Sequence, residues 1–133
     1  MKTVKKLLVE IGIEKNASTK VWRDYFDKAE IHAFEYDKDK IKDAIKNNLD
    51  NTYYHEIDVR DEINIKNAFE NLNIKFDVII DDSLHTFEEQ IKIIYNGIEV
   101  KNNHPDQTVL YVSADKFLTQ FVDAIKDNKR NDF

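Results

Sequence analysis

Short apolar runs alternate with longer amphipathic stripes five times along this chain, and few folds accept that order. The runs are Leu7-Leu8-Val9, Ile31 to Phe34, Thr52 to Ile57, Val78-Ile79-Ile80 and Val109 to Val112, each read as a strand. Between and after them come stripes with helical spacing: Val21, Trp22, Tyr25 and Phe26; Ile41, Ala44, Ile45 and Leu49; Ile65, Ala68, Phe69 and Leu72. Phe87, Ile91, Ile94, Tyr95 and Ile98 form the fourth stripe, with Thr86 and Glu89 at capping-box spacing and Gly97 near its expected end. Phe117, Leu118, Phe121, Val122 and Ile125 form the fifth. Successive strands joined by helices must run parallel, with helices on both faces. The expected class is therefore α/β, a Rossmann-like three-layer sandwich around a mainly parallel five-stranded sheet. Strand order 3-2-1-4-5 is favoured, although order 2-1-3-4-5 gives much the same periodicity.

A length of 133 residues suits a single domain, placed at residues 1–125, with 126–133 as a frayed tail. No apolar run is long enough to span a membrane, and the short basic-then-apolar start reads as a strand. The absence of cysteine excludes disulfides and thiolate chemistry and makes a cytoplasmic location the default. A formal charge of -6 argues against a broad nucleic-acid surface and suits a cationic small molecule better.

Acids collect where strands end. Glu10 precedes Gly12, Glu35 and Asp37 close the second strand, Asp58 and Asp61 follow the third, and Phe76 to Ile80 leads into Asp81-Asp82-Ser83-Leu84-His85. In open α/β sheets ligands bind just beyond the carboxyl ends of the strands, so this is where chemistry is expected. Two readings of Asp81, Asp82 and Ser83 stand together: a ligand site, or a strand terminator and helix cap. Trp22, Tyr25 and Phe26 read as core, and Lys38, Lys40, Lys42 and Lys46 as a solvated face. His32, His55 and His104 lack metal-ligand spacing and read as incidental.

Four segments carry a family resemblance: Val9-Glu10-Ile11-Gly12-Ile13, Trp22-Arg23-Asp24-Tyr25-Phe26, Ile31 to Asp37, and Ile80-Asp81-Asp82-Ser83-Leu84-His85. Together they resemble class I S-adenosylmethionine-dependent methyltransferases, closest to the macrocin O-methyltransferase-like group. The resemblance implies that Glu10 and Gly12 form the floor of the cofactor's methionine pocket, Glu35 accepts the ribose hydroxyls, Asp58 approaches the adenine, and Asp81 is a further cofactor-binding residue. It further implies His85 as general base for a sugar or small-molecule hydroxyl, with Asp82 beside it. Asp82 and Asp115 would hold a divalent metal such as Mg2+. The chemistry is consistent: a carboxylate accepts two hydroxyl hydrogen bonds, imidazole has a pKa suited to taking a proton, and a hard cation prefers oxygen ligands.

The chain also departs from the family pattern. Glu14-Lys15-Asn16-Ala17 follows Gly12 where the family has further glycines, Ser83-Leu84 replaces Gly-Ser, and Ala114-Asp115 replaces Glu-Asp. Neither a substrate-capping segment before the first strand nor the antiparallel strands that complete such sheets after the fifth is expected. A bare fifth-strand edge invites association, with a second copy as the expected partner. Two further readings therefore stand: a non-catalytic binding or assembly module on a degenerate methyltransferase fold, and a site for another nucleotide or dinucleotide.

Overall fold

The computed structural model describes residues 6–72, 76–84, 86–102 and 109–113, with side chains described through residue 97 in the last helix. Its elements follow the expected alternation: β1 (Leu7–Ile11), α1 (Ala17–Tyr25), β2 (Glu30–Glu35), α2 (Lys38–Ile45), β3 (Thr52–Glu56), α3 (Glu62–Leu72), β4 (Val78–Asp81), α4 (Phe87–Asn102) and β5 (Leu110–Ser113). All four strand pairings are parallel, and the order is β3-β2-β1-β4-β5. This is the Rossmann-like order, so the alternative 2-1-3-4-5 does not apply. The fifth helical stripe and the 126–133 tail lie outside the described residues.

Strand alternation divides the core into two layers. Leu7, Val9, Ile11, Phe34 and Ile79 face α3 and α4, where Ile65, Phe69 and Ile93 meet them with Phe76. On the opposite face Leu8, Ile31 and Ile80 pack against Trp22 and Tyr25 of α1. Ile13 and Ala33 receive Ala44 of α2 in a smaller cluster. Both faces of β1 are thus buried over its whole length, Glu10 included.

Two helices differ from the expected stripes. Phe87, Ile91 and Tyr95 of α4 are 77%, 47% and 55% exposed, whereas Ile93, Asn96 and Gly97 face inward. Gly97 does not end the helix: a Cβ there would stand 2.9 Å from Ile79 Cδ1, so the small residue lets α4 approach the sheet. In α2 only Ala44 is buried; Ile45 is exposed, and Leu49 lies beyond the helix end. In α4 the row carrying the small residue faces the sheet in place of the row with larger apolar groups, because helix and sheet approach closely there.

The histidines at the β2–β3 edge are not incidental to packing. His32 Nδ1 and His55 Nε2 are 2.8 Å apart, and His32 Nε2 lies 2.9 Å from Glu30 Oε1. Burial, then the neighbouring His32, lowers the His55 pKa below its ordinary value. His104 lies outside the described residues.

Candidate functional site

A cleft of about 320 Å3 opens across the carboxyl ends of β1 to β4. Its walls come from Gly12 and Glu14 after β1, Glu35 to Asp37 at the end of β2, Ile57 to Arg60 after β3, Asp82 to Leu84 after β4, and Lys40 of α2. The helices after neighbouring strands β1 and β4 pack on opposite faces of the sheet, so the cleft lies at the topological switch point. The volume is in the range of small-molecule sites, about 300–1,000 Å3.

Glu35 is the most tightly placed acid in the cleft. Its Oε1 accepts the Ile13 N–H at 3.2 Å and its Oε2 accepts the Asp37 N–H at 2.9 Å. Two backbone donors from different loops fix the carboxylate's direction while leaving lone pairs on both oxygens. Asp37 then caps α2, its Oδ1 accepting from the N–H groups of Asp39 and Lys40. That cap brings Lys40 to the cleft wall, where its Nζ lies 3.1 Å from Glu14 Oε2. Lys40, read as part of a solvated face, is partly exposed and also lines the cleft. The available signal was its place in the first turn of a helix that begins at an acidic strand tip.

Gly12 is required by the protein itself. Its φ is +85°, and a Cβ would collide with the Asp82 carbonyl, coming within 2.8 Å of its carbon. The Asp82 N–H in turn donates to the Ile11 carbonyl at 2.7 Å, locking the loops after β1 and β4 together. Asp82 and Ser83 line the cleft beside this contact.

Other acids expected at the site are engaged elsewhere. Glu10 is fully buried toward α1, where its carboxylate accepts from Ser18 Oγ at 2.6 Å, Thr19 Oγ1 at 2.5 Å and Trp22 Nε1 at 2.9 Å. Burial is the main cause that raises its pKa; the three donors oppose that rise and Asp82 adds to it. Asp81 is also buried: Oδ1 accepts from Ser83 N at 3.0 Å and Ser83 Oγ at 2.5 Å, and Oδ2 accepts from Tyr111 OH at 2.6 Å. Burial and then Asp81 push the Tyr111 phenol well up. Neither Glu10 nor Asp81 is among the cleft-lining residues.

Asp58 reaches the cleft but is held by Arg60, whose Nε and Nη2 donate at 2.9 and 3.1 Å. The Arg60 hydrogen bond is the main cause lowering the Asp58 pKa. Arg60 also stacks over the Tyr36 ring at 4.7 Å, forming a planar wall that the sequence motifs did not reveal. His85 and Asp115 lie outside the described residues. Among those described, no three His, Cys, Asp or Glu side chains gather as a metal site would need. No helix among them is long and apolar enough to cross a membrane.

Comparison with known proteins supports the fold. Similar solved structures include the fibrillarin/Nop5p complex (14% identity, TM-score 0.61, 92% of this chain and 60% of that one). A caffeoyl-CoA O-methyltransferase-like protein from Staphylococcus aureus aligns at 16% identity and TM-score 0.59, over 92% of this chain and 63% of its own. Serine dehydrogenase from Escherichia coli aligns at 9% identity and TM-score 0.62, over 91% and 76%. At such identities the likeness is one of fold, shared by methyltransferases and dehydrogenases. The family model of the bacterial DnaA ATPase domain matches residues 91–133. Chromosomal replication initiator protein DnaA of Flavobacterium psychrophilum is 51% identical over 37 residues, and that of Bacteroides fragilis 46% over 37. Those alignments span 28% of this chain and only 8% of either relative. The family-model match begins within α4, after every residue that lines the cleft. The chain thus has a Rossmann-like fold, and the DnaA-like segment includes most of α4 and the β5 strand of that same sheet.

Proposed function

We propose that the cleft binds S-adenosylmethionine and that the chain is a methyltransferase-like protein acting on a hydroxyl of a sugar or other small molecule, in the manner of the macrocin O-methyltransferase-like group. The observation that carries this reading is Glu35: a buried carboxylate at the end of β2, aimed by two backbone N–H groups into a cleft lined by five carboxylates and two cations. Such a group suits a ribose diol, and the surplus of acids suits a sulfonium. The cleft lining runs from Asp82 past Gly12 and Glu35 to Tyr36 and Asp58. Asp82 would face the methionine end and the Tyr36–Arg60 wall the adenine. The cofactor supplies an electrophilic methyl group.

The chain's own contribution is to orient that ligand and to take the acceptor's proton. His85, next in sequence to cleft-lining Leu84, is the proposed base, accepting the hydroxyl proton on its imidazole. Mg2+ held by Asp82 and Asp115 remains part of this proposal, as does association with a second copy at the β5 edge. The proposal concerns the cleft, and the DnaA-like segment lends it no support.

A second reading, a non-catalytic binding or assembly module, is favoured by one observation: Glu10 and Asp81 are consumed inside the protein and Asp58 is tied to Arg60. Calorimetry with S-adenosylmethionine and S-adenosylhomocysteine separates the two. Binding is expected, and Glu35→Ala should weaken it about tenfold or more, the worth of hydrogen bonds to a charged acceptor. His85→Ala should abolish turnover while leaving affinity nearly intact. No heat from folded protein at about 1 mM ligand, a concentration that detects even weak sites, would reject the enzyme reading.

A further inference from the structure

We infer that the Glu14–Lys40 ion pair makes the ribose end of the cleft selective for an unphosphorylated sugar, by occupying the cation that a sugar phosphate would need. This rests on the proposed binding of an adenosine-type ligand at Glu35 and adds a rule for which ligands are refused.

Both cations of the cleft wall are already held by acids. Lys40 Nζ lies 3.1 Å from Glu14 Oε2, and Arg60 grips both oxygens of Asp58 while covering Tyr36. Lys40 stands in the first turn of α2, where Glu35 and Asp37 act on its charge as well as Glu14. Glu14 arrives from the other wall, in the loop after β1, with a left-handed φ of +47°. The hydroxyls that begin α1, Ser18 and Thr19, donate to buried Glu10 and do not face the cleft. A diol at Glu35 therefore meets an acceptor, while a phosphate there meets Glu35, Asp37 and Glu14 and must compete for Lys40.

As an exposed pair, Glu14 and Lys40 add little to stability, about 0–1 kcal/mol. Their effect is on ligand charge: removing Glu14 both frees the ammonium and deletes one repelling carboxylate. Glu70 offers a control, because it is an acid paired with Lys66 at the opposite end of α3, away from the cleft. Glu70→Gln changes net charge by the same amount without touching the site.

The test is calorimetric titration of the full chain with adenosine and with adenosine 2′-phosphate. The unaltered protein should bind the phosphate at least about tenfold more weakly than adenosine, and Glu14→Gln should narrow that ratio to under about threefold. Glu70→Gln should leave the ratio unchanged, and adding Lys40→Ala to Glu14→Gln should widen it again. An unchanged ratio in Glu14→Gln, with adenosine still bound, overturns the selectivity inference and leaves the proposed function standing. Equal narrowing by Glu70→Gln overturns it too, since the effect would belong to net charge. If neither adenosine nor S-adenosylmethionine binds folded protein, the proposed function fails and this inference falls with it.

Discussion

Glu10 has a full set of donors and is nevertheless costly to ionise. Ser18, Thr19 and Trp22 surround its carboxylate, yet burial outweighs them and raises its pKa above 4.5. A carboxyl group with a raised folded-state pKa binds its proton more tightly when folded, so its favourable contribution is full below the unfolded value. That contribution declines as pH rises through the folded value. Glu10→Gln places an amide nitrogen against a donor, a penalty that does not depend on pH. The stability difference between Glu10→Gln and the unaltered protein should therefore move in favour of the glutamine variant as pH rises from about 4.5, then level off. Urea unfolding across that range measures it, and a difference that stays constant would show that burial imposes no cost on the charge. Sequence alternation could have placed Glu10 on the α1 face with Leu8, but the strand-end acids looked alike until their donors were visible. Gly12 was legible as special for a different reason than expected, since the Asp82 carbonyl, as well as any ligand, demands it.

At the scale of elements, strands were easier to read than helix faces. A β-branched run such as Val78-Ile79-Ile80 admits few conformations, and capping acids such as Asp37 mark where helices start. The rotation of α4 was hidden because its bulkiest apolar row, Phe87, Ile91 and Tyr95, faces outward, while Ile93 and Gly97 fit the narrow space over Ile79. Helical periodicity reports hydrophobicity, and close approach is decided by size. Truncation distinguishes the two rotations. Ile93→Ala should cost about 2–5 kcal/mol by opening a cavity beside Phe69 and Ile79, whereas Ile91→Ala should change stability by no more than about 0.5 kcal/mol. Similar costs at both positions, or a larger one at Ile91, would mean that α4 is turned the other way.

Across the whole molecule, strand order and the cleft both depend on contacts distant in sequence. Periodicity identifies strands but not neighbours, so order β3-β2-β1-β4-β5 required the pairing itself. The site was legible in outline, because acids at strand tips converge, and illegible in its cations, because Lys40 and Arg60 gain meaning only from Glu14, Asp58 and Tyr36. The same surplus of acid acts on folding and on binding with opposite signs. A formal charge of -6 repels itself in the compact state, while five carboxylates against two cations attract a sulfonium in the cleft. Raising salt from about 0.1 M to about 1 M shortens the screening length from about 10 Å to about 3 Å and weakens both effects. The urea midpoint should therefore rise, while affinity for S-adenosylmethionine should fall about three- to tenfold. S-adenosylhomocysteine lacks the sulfonium charge and should change by less than about twofold over the same range. Equal losses for the two ligands would show that the cleft's acids do not recognise the sulfonium, and that the adenosine portion alone accounts for binding.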